Sequence, residues 1–130
     1  MRNVRLLLVE DELTHRRLFE RNMRRYGPEY ELEAVETGEA ALQYLYRYAQ
    51  NPDKALIVIL DLKLPGINGI QVLEKMRADR LLREIQVIVL TTSDEETEMS
   101  ACTQLGVSQY LNKPIDFQIL MVNIERLIPA

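Results

Sequence analysis

The sequence is poor in several features that mark particular classes of protein. It contains one cysteine, Cys102, so no disulfide can form within the chain. No apolar run approaches the ~20 residues that a membrane-spanning helix needs. The first apolar run is followed at once by Glu10, Asp11 and Glu12 rather than by a small-residue cleavage site, which argues against a signal peptide. These absences exclude a disulfide scaffold and a membrane span, and they predict a cytoplasmic protein.

Positive charge is also in short supply. The chain carries 16 lysines and arginines against 20 acidic residues, a net charge of −4, which gives no general attraction to nucleic acid. The basic residues concentrate on the first predicted helix, at Arg16, Arg17, Arg21, Arg24 and Arg25. We interpret them as a solvated helix face, with a partner surface as the alternative.

What is present indicates one globular domain covering residues 1–130, since 47% of the residues are hydrophobic and 28% are charged. Hydrophobic periodicity predicts five strands, at 4–9, 30–35, 56–60, 85–90 and 107–111. Helices are predicted between and after them, at 13–25, 37–51, 69–77, 93–106 and 115–127, with Thr37 and Ser93 as caps. Alternating strands and helices with fully apolar strands predict an α/β fold, a doubly wound five-stranded parallel sheet with five helices.

Polar side chains follow four of the predicted strands at the point where each ends. In a doubly wound sheet ligands bind at the carboxyl ends of the strands, so these side chains are expected to meet. They are Glu10, Asp11 and Glu12 after the first strand, Asp61 after the third, Thr91 and Thr92 after the fourth, and Lys113 after the fifth. The acids after the first strand are equally suited to complementing a helix dipole, and the threonines to ordinary strand ends. The coincidence of all four sets at one edge of the sheet favours a functional site over these separate structural roles.

Asp61 is the least ordinary of these residues, because a carboxylate at the end of a buried apolar strand is costly unless the site uses it. Several carboxylates at one edge stay ionised together only beside a cation. Oxygen ligands without histidine or cysteine favour Mg²⁺ over zinc. A lysine and hydroxyl groups suit an anion with several oxygens. A carboxylate nucleophile, a hard metal, a lysine and a hydroxyl donor are the parts that phosphoryl transfer requires.

The chain resembles the receiver domains of two-component response regulators. The matching segments are LLLVED (6–11), VILDLKLPGINGIQVL (58–73), VIVLTTSD (87–94) and LGVSQYLNKPID (105–116). The resemblance implies the flavodoxin-like receiver fold with strand order 2-1-3-4-5. It implies a Mg²⁺-dependent reaction in which Asp61 accepts a phosphoryl group from a phosphohistidine.

The resemblance also implies a role for each matching residue. Glu10, Asp11, Asp61 and the backbone carbonyl of Lys63 would hold Mg²⁺. Thr91 and Lys113 would bind phosphoryl oxygens, with a cis peptide between Lys113 and Pro114. Thr91 and Tyr110 would act as a switch that remodels the face formed by helix 4, strand 5 and helix 5.

The partners that this family implies are a sensor histidine kinase or a histidine phosphotransfer protein, and a downstream protein target. A homodimer through the helix 4–strand 5–helix 5 face is one further expectation, and no nucleic acid or membrane partner is expected. The loop before strand three and the LTTS segment resemble single-domain regulators that pair with bacteriophytochromes or hybrid sensor kinases. No output domain is predicted within the chain.

Two other functions stay open. One is a phosphatase that acts on small molecules through an aspartyl phosphate, although neither a second general acid nor a substrate cap is evident. The other is an interaction domain that needs no phosphate. Flavin binding is excluded, because the VEDEL loop would place carboxylates where the cofactor phosphate would sit. His15, the single histidine, is predicted to lie on the surface, and Tyr44, Tyr46 and Tyr48 are predicted to serve packing.

Overall fold

A computed structural model describes residues 4–92 and 95–128 of the chain. Across these residues strands and helices alternate. The strands are β1 (Val4–Val9), β2 (Glu31–Val35), β3 (Ala55–Leu60), β4 (Gln86–Thr91) and β5 (Gln109–Asn112). The helices are α1 (Leu13–Tyr26), α2 (Gly38–Gln50), α3 (Gly69–Ala78), α4 (Glu96–Gln104) and α5 (Phe117–Leu127). A helix long and apolar enough to span a membrane is not found among the described residues.

The strands form one parallel sheet in the order β2-β1-β3-β4-β5, which confirms the predicted topology. The three inner strands β1, β3 and β4 are buried almost throughout, whereas the edge strands β2 and β5 are only partly buried. An inner strand of a parallel sheet is covered by helices on both faces, which explains why its sequence is a continuous apolar run.

Helices cover both faces of this sheet and enclose two hydrophobic cores. On one face α1 packs against α5, and the rings of Phe19 and Phe117 meet edge to face with centroids 5.4 Å apart. On the other face α2, α3 and α4 form the second core together with the strands, and Val58, Leu73 and Cys102 are among its buried residues. Burial and the neighbouring Glu98 raise the pKa of the Cys102 thiol to about 11, so this cysteine is a core residue rather than a reactive one.

Most helix ends follow from the local sequence. Thr37 caps α2 as predicted, its hydroxyl accepting a hydrogen bond from the Ala40 N–H at 3.0 Å. Gly106 follows α4 with φ of +69°, a conformation that favours glycine. The residue that precedes the first turn of α4 is Glu95, whereas the predicted cap Ser93 lies outside the described residues.

α4 ends at Gln104, two residues before its predicted end, and the predicted starts of β5 and α5 were also wrong by two residues. β5 begins at Gln109 rather than at position 107, because the Val107 N–H still bonds the Cys102 carbonyl in the turn that ends α4. α5 begins at Phe117 rather than at position 115, because the Asp116 carboxylate accepts hydrogen bonds from the N–H groups of Gln118 and Ile119. None of these shifts moves a residue of the candidate site.

Candidate functional site

The register of β1 against its neighbours brings Glu10 and Asp61 together. Val9 pairs with Leu60, so the residues that follow them leave the sheet side by side. The Asp61 N–H donates to the Val9 carbonyl at 3.1 Å, which continues the ladder by one residue. Both side chains are buried, Glu10 being 3% exposed and Asp61 7% exposed. The predicted convergence of these two acids at one edge of the sheet is therefore present.

Lys113 reaches the same point from β5. Thr91 pairs with Asn112, and the next N–H, that of Lys113, donates to the Thr91 carbonyl at 2.9 Å. The Lys113–Pro114 peptide is cis, as predicted. The Lys113 ammonium donates to Asp61 Oδ2 at 2.9 Å and also hydrogen-bonds Glu10 Oε1. A single cation thus joins the two buried carboxylates.

The cost of burying Asp61 is met by donors on both of its oxygens. Oδ1 accepts the backbone N–H of Lys63 at 2.9 Å, and Oδ2 accepts Lys113. A buried carboxylate is tolerated when it is paired and hydrogen-bonded in this way. Asp61 is held in one orientation at the end of an apolar strand, which is what a reacting group requires.

Three carboxylates form a compact group of oxygens at this edge. Glu10, Asp11 and Asp61 each offer an oxygen, and these oxygens lie within 4.8 Å of one another. Asp11 is exposed, whereas the other two are buried, so the group opens toward solvent on one side. An all-oxygen donor set of this size fits a hard divalent cation that keeps part of its water shell. The residues present fit the metal that the sequence predicts.

The charges of the site shift the pKa of two of its members. Burial raises the pKa of Glu10 above its usual value; the Lys113 hydrogen bond opposes this shift, and the neighbouring Asp61 charge adds to it. Burial alone would lower the pKa of Lys113, but its bonds to Glu10 and Asp61 prevail and raise it. Lys113 is therefore a permanent cation here, and Glu10 is a carboxylate that gains from a second cation nearby.

The remaining predicted residues lie around this centre. Thr91 is fully buried at the end of β4, and Thr92 lines a cavity together with Asp61 and Lys113. The Lys63 ammonium lies 3.5 Å from Glu98 at the start of α4, so its side chain pairs with that helix. Tyr110 is half-buried and packs against the core beneath α4. The metal-binding role of the Lys63 carbonyl and the switching roles of Thr91 and Tyr110 stay predictions.

Two residues of α1 belong to the site although the sequence interpretation placed them elsewhere. His15, predicted to be a surface residue, has Nδ1 at 3.1 Å from the Lys113 ammonium and at 3.4 Å from Glu10 Oε1. Arg16, assigned to the solvated basic face, has a side chain only 12% exposed. It donates to the backbone carbonyls of Glu10 and Asp11, both at 2.9 Å. Their position in the first turns of the helix that follows the acidic loop was the available signal.

A cavity of about 310 Å³ adjoins the site. Its polar lining residues are Glu10, His15, Asp61, Thr92 and Lys113. The rest of its wall is apolar and comes from the strand ends, α1 and the segment between β5 and α5: Leu8, Val9, Leu18, Phe19, Ile59, Leu90, Pro114, Ile115 and Phe117. The Asp61 carboxylate thus borders a concave space rather than a flat surface.

Known proteins share both the sequence pattern and the architecture of this chain. Residues 6–125 match the family profile of the response regulator receiver domain. The chemotaxis protein CheY1 of Helicobacter pylori strain J99 is 34% identical over 122 residues, which cover 94% of this chain and 94% of that protein.

Two solved structures extend the comparison. The bacteriophytochrome response regulator RtBRR superimposes with a TM-score of 0.82 at 33% identity, covering 100% of this chain and 80% of that one. The Mn²⁺-bound form of response regulator Rcp1 superimposes with a TM-score of 0.78 at 33% identity, covering 97% of this chain and 99% of that one. The predicted likeness to regulators named for bacteriophytochromes is confirmed. The chain belongs to the response regulator receiver domain family.

Proposed function

We propose that Asp61 is the phosphoacceptor of this receiver domain. The observation that carries the proposal is the contact of one ammonium, that of Lys113, with both Asp61 and Glu10, two carboxylates that are each more than nine-tenths buried. The ammonium stands beside one oriented oxygen of Asp61, within a group of carboxylates that can also hold a divalent cation. Phosphoryl transfer depends mainly on positioning and on neutralising charge, and this arrangement supplies both.

The step forms one bond and breaks one. A carboxylate oxygen of Asp61 attacks the phosphorus of the donor, and the bond from phosphorus to the donor atom breaks. With a phosphohistidine the electron pair returns to the ring nitrogen, and with acetyl phosphate it leaves on acetate. The product is an acyl phosphate on Asp61. Its lysis by water returns the carboxylate and releases inorganic phosphate.

The neighbouring residues have distinct roles in this proposal. Glu10, Asp11, Asp61 and the Lys63 carbonyl would hold Mg²⁺, which supplies charge neutralisation on the transferred group. Lys113 moves from the carboxylate of Asp61 to a phosphoryl oxygen. The Thr91 hydroxyl binds another phosphoryl oxygen, and Tyr110 follows it, which remodels the α4–β5–α5 face. The choice of Mg²⁺ over other hard divalent cations belongs to the proposal.

Residues 1–130 would then form a signalling domain that catalyses its own phosphorylation and dephosphorylation and turns over no separate substrate. The proposed phosphodonor is a sensor histidine kinase or a histidine phosphotransfer protein, and the proposed reader is a downstream protein. The likeness to RtBRR supports a phytochrome-type kinase as the donor. Dimerisation through the α4–β5–α5 face and a cytoplasmic location stay predictions.

Incubation with acetyl phosphate and Mg²⁺ tests the assignment by intact-protein mass spectrometry. We expect a single phosphoryl adduct on the wild-type chain, none on Asp61→Asn, and none when EDTA replaces Mg²⁺. Asp53→Asn is the matched control, because Asp53 is an exposed aspartate before β3, and it should gain the same adduct as the wild type. An adduct of equal yield on Asp61→Asn would remove Asp61 from the proposal.

The same preparation separates the second candidate function, a phosphatase acting through an aspartyl phosphate. That enzyme would release many equivalents of phosphate from a phosphomonoester at steady state. We expect no such turnover, because the sequence offers neither a second general acid nor a substrate cap.

A further inference from the structure

The single histidine of the chain contacts the lysine that the proposed function places on the phosphoryl group. An ammonium has three N–H donors and no acceptor. Around Lys113 stand three acceptors from three different elements: Glu10 Oε1, Asp61 Oδ2 at 2.9 Å and His15 Nδ1 at 3.1 Å. Each donor therefore has its own partner, and His15 supplies the one that is not a carboxylate.

This contact determines which ring nitrogen of His15 carries the proton. Because the Lys113 ammonium can only donate, a hydrogen bond between it and Nδ1 makes Nδ1 the acceptor and selects the tautomer with the proton on Nε2. The other nitrogen, Nε2, lies 3.2 Å from Glu12 Oε2, a carboxylate that can only accept. In that tautomer the ring links Glu12 to Lys113.

We propose that His15 is a positioning residue for phosphoryl transfer, acting through Lys113. His15 occupies the third N–H of the ammonium, which fixes the rotation of the head group and directs the other two N–H groups at Glu10 and Asp61. Without this acceptor the head group rotates among more arrangements, and only some of them present a donor to the incoming phosphoryl group. This inference rests on the proposed function of Asp61 and adds a residue that the receiver motifs of the sequence did not include.

The position of His15 agrees with this role. Its side chain is 40% exposed, whereas those of Lys113, Glu10 and Asp61 are at most 11% exposed, so the ring lies at the border between the buried cluster and solvent. It also lines the 310 Å³ cavity together with Asp61 and Lys113. α1 holds the ring there, because Arg16, the next residue, ties the first turns of the helix to the backbone of Glu10 and Asp11.

The first test reads the contact directly and does not depend on phosphorylation. Because the chain has one histidine, a long-range ¹H–¹⁵N correlation spectrum of the uniformly labelled protein contains one ring. At about pH 8, where an ordinary imidazole is neutral, we expect the Nε2–H tautomer with Nδ1 shifted as a hydrogen-bond acceptor. Lys113→Met removes the donor and should return the Nδ1 shift to that of an unbonded nitrogen. A wild-type ring with the proton on Nδ1, or an Nδ1 shift unchanged in Lys113→Met, would overturn the inference.

The second test measures the phosphorylation rate with acetyl phosphate at saturating Mg²⁺. We expect His15→Phe to lower the maximal rate by about two- to ten-fold, the range of one net hydrogen bond, with little change in the donor concentration at half-maximal rate. His15→Asn should recover most of the rate, because the asparagine oxygen can take the place of Nδ1. Thr14→Ala, at an exposed position in the same turn, should behave as the wild type.

The outcomes of the two tests separate the inference from the function on which it rests. Normal rates in His15→Phe, or equal losses in His15→Phe and His15→Asn, would overturn the positioning role while Asp61 remained the acceptor. A wild-type chain that gains no phosphoryl group would overturn the proposed function instead, and the inference with it.

Discussion

At the scale of single residues, the site depends on a balance between two buried carboxylates and one ammonium. Lys113 compensates Glu10 and Asp61 only in part, and the residual repulsion together with burial raises the pKa of Glu10. A divalent cation on the exposed side, next to Asp11, would complete the compensation. Without a metal the negative charge of the site is therefore not fully balanced, and the raised pKa of Glu10 reflects this imbalance.

The first prediction concerns how this charge imbalance makes the free energy of unfolding depend on pH. The folded pKa of Glu10 lies above its ordinary value of 4.5, so ionised Glu10 disfavours the folded state at neutral pH. Glu10→Gln is always neutral, and we expect it to be more stable than the wild type in EDTA at pH 7. The difference in the free energy of unfolding between the two proteins should shrink as the pH falls toward 4.5, the ordinary pKa of a glutamate, because the wild-type carboxylate then takes up a proton. Urea unfolding at several pH values measures it.

Two controls accompany this measurement. Glu29→Gln changes an exposed glutamate between α1 and β2 and should show no comparable gain at neutral pH. Saturating Mg²⁺ should reverse the order of stability, because the cation binds the folded wild type through a ligand that the variant has lost. A wild type more stable than Glu10→Gln in EDTA at pH 7 would contradict the charge balance described above.

At the scale of elements, the start of α3 holds the loop that carries Asp61. The Gly69 N–H donates to the Leu62 carbonyl at 3.0 Å, and a Cβ at position 69 would lie 2.6 Å from the Asp61 carbonyl oxygen. Both contacts are with backbone, which cannot move aside as a flexible side chain can. The capping box of Asn68 and Gln71 fixes the same first turn of the helix. Glycine at this position lets α3 approach the site closely.

Gly69→Ala should therefore damage both folding and metal binding. We expect a loss of about 2–3 kcal/mol in the free energy of unfolding, the range of overpacking, and a clearly weaker Mg²⁺ affinity by calorimetry. Gly106→Ala is the control, because its φ of +69° costs about 1–2 kcal/mol with an alanine while no atom lies within 4 Å of the added Cβ. Its Mg²⁺ affinity should be unchanged. Equal affinities in both variants would show that α3 does not position the site.

At the scale of the whole molecule, β4 and β5 connect the site to a distant face. Val89 pairs with Tyr110 and Thr91 pairs with Asn112, so the switch candidates lie on neighbouring strands that end at the site. Beyond them, α4 and α5 expose the large apolar residues Met99, Ile119 and Val122, between 42% and 51%. Tyr110 is half-buried and packs against the core, and in the proposed switch it would pass a change at Thr91 to the α4–β5–α5 face.

Tyr110→Ala should separate phosphorylation from signalling. We expect the variant to form the acyl phosphate at nearly the wild-type rate, because Tyr110 contributes no group to the proposed phosphoryl site. Beryllofluoride with Mg²⁺ should change hydrogen exchange in residues 95–128 of the wild type, and this change should be lost in the variant. Tyr46→Ala, an exposed tyrosine on α2, should keep it. An unchanged exchange response in Tyr110→Ala would exclude Tyr110 as the switch.

Local patterns determined much of this protein. The apolar runs of β1, β3 and β4 identify buried parallel strands, and a doubly wound parallel sheet brings its strand ends to one edge, so Glu10, Asp61, Thr91 and Lys113 could be grouped before any coordinates were known. Thr37 begins α2 and Gly106 follows the end of α4 as expected, because capping is a property of a few adjacent residues. The receiver motifs lie in the same loops, which is why sequence similarity and physical reasoning agree on the site.

Only the tertiary structure decided what His15, Arg16 and Lys63 do. All three are long or polar side chains on exposed elements, and their sequence context is equally compatible with solvent. Their partners lie 98, 6 and 35 positions away, at Lys113, the Glu10 carbonyl and Glu98, as the hydrogen-bond and ion-pair geometry shows. Backbone periodicity encodes which face of an element is buried, but the rotamer of a polar side chain is chosen by the charges it meets after folding. For that reason the sequence locates the site, and the fold determines which neighbours complete it.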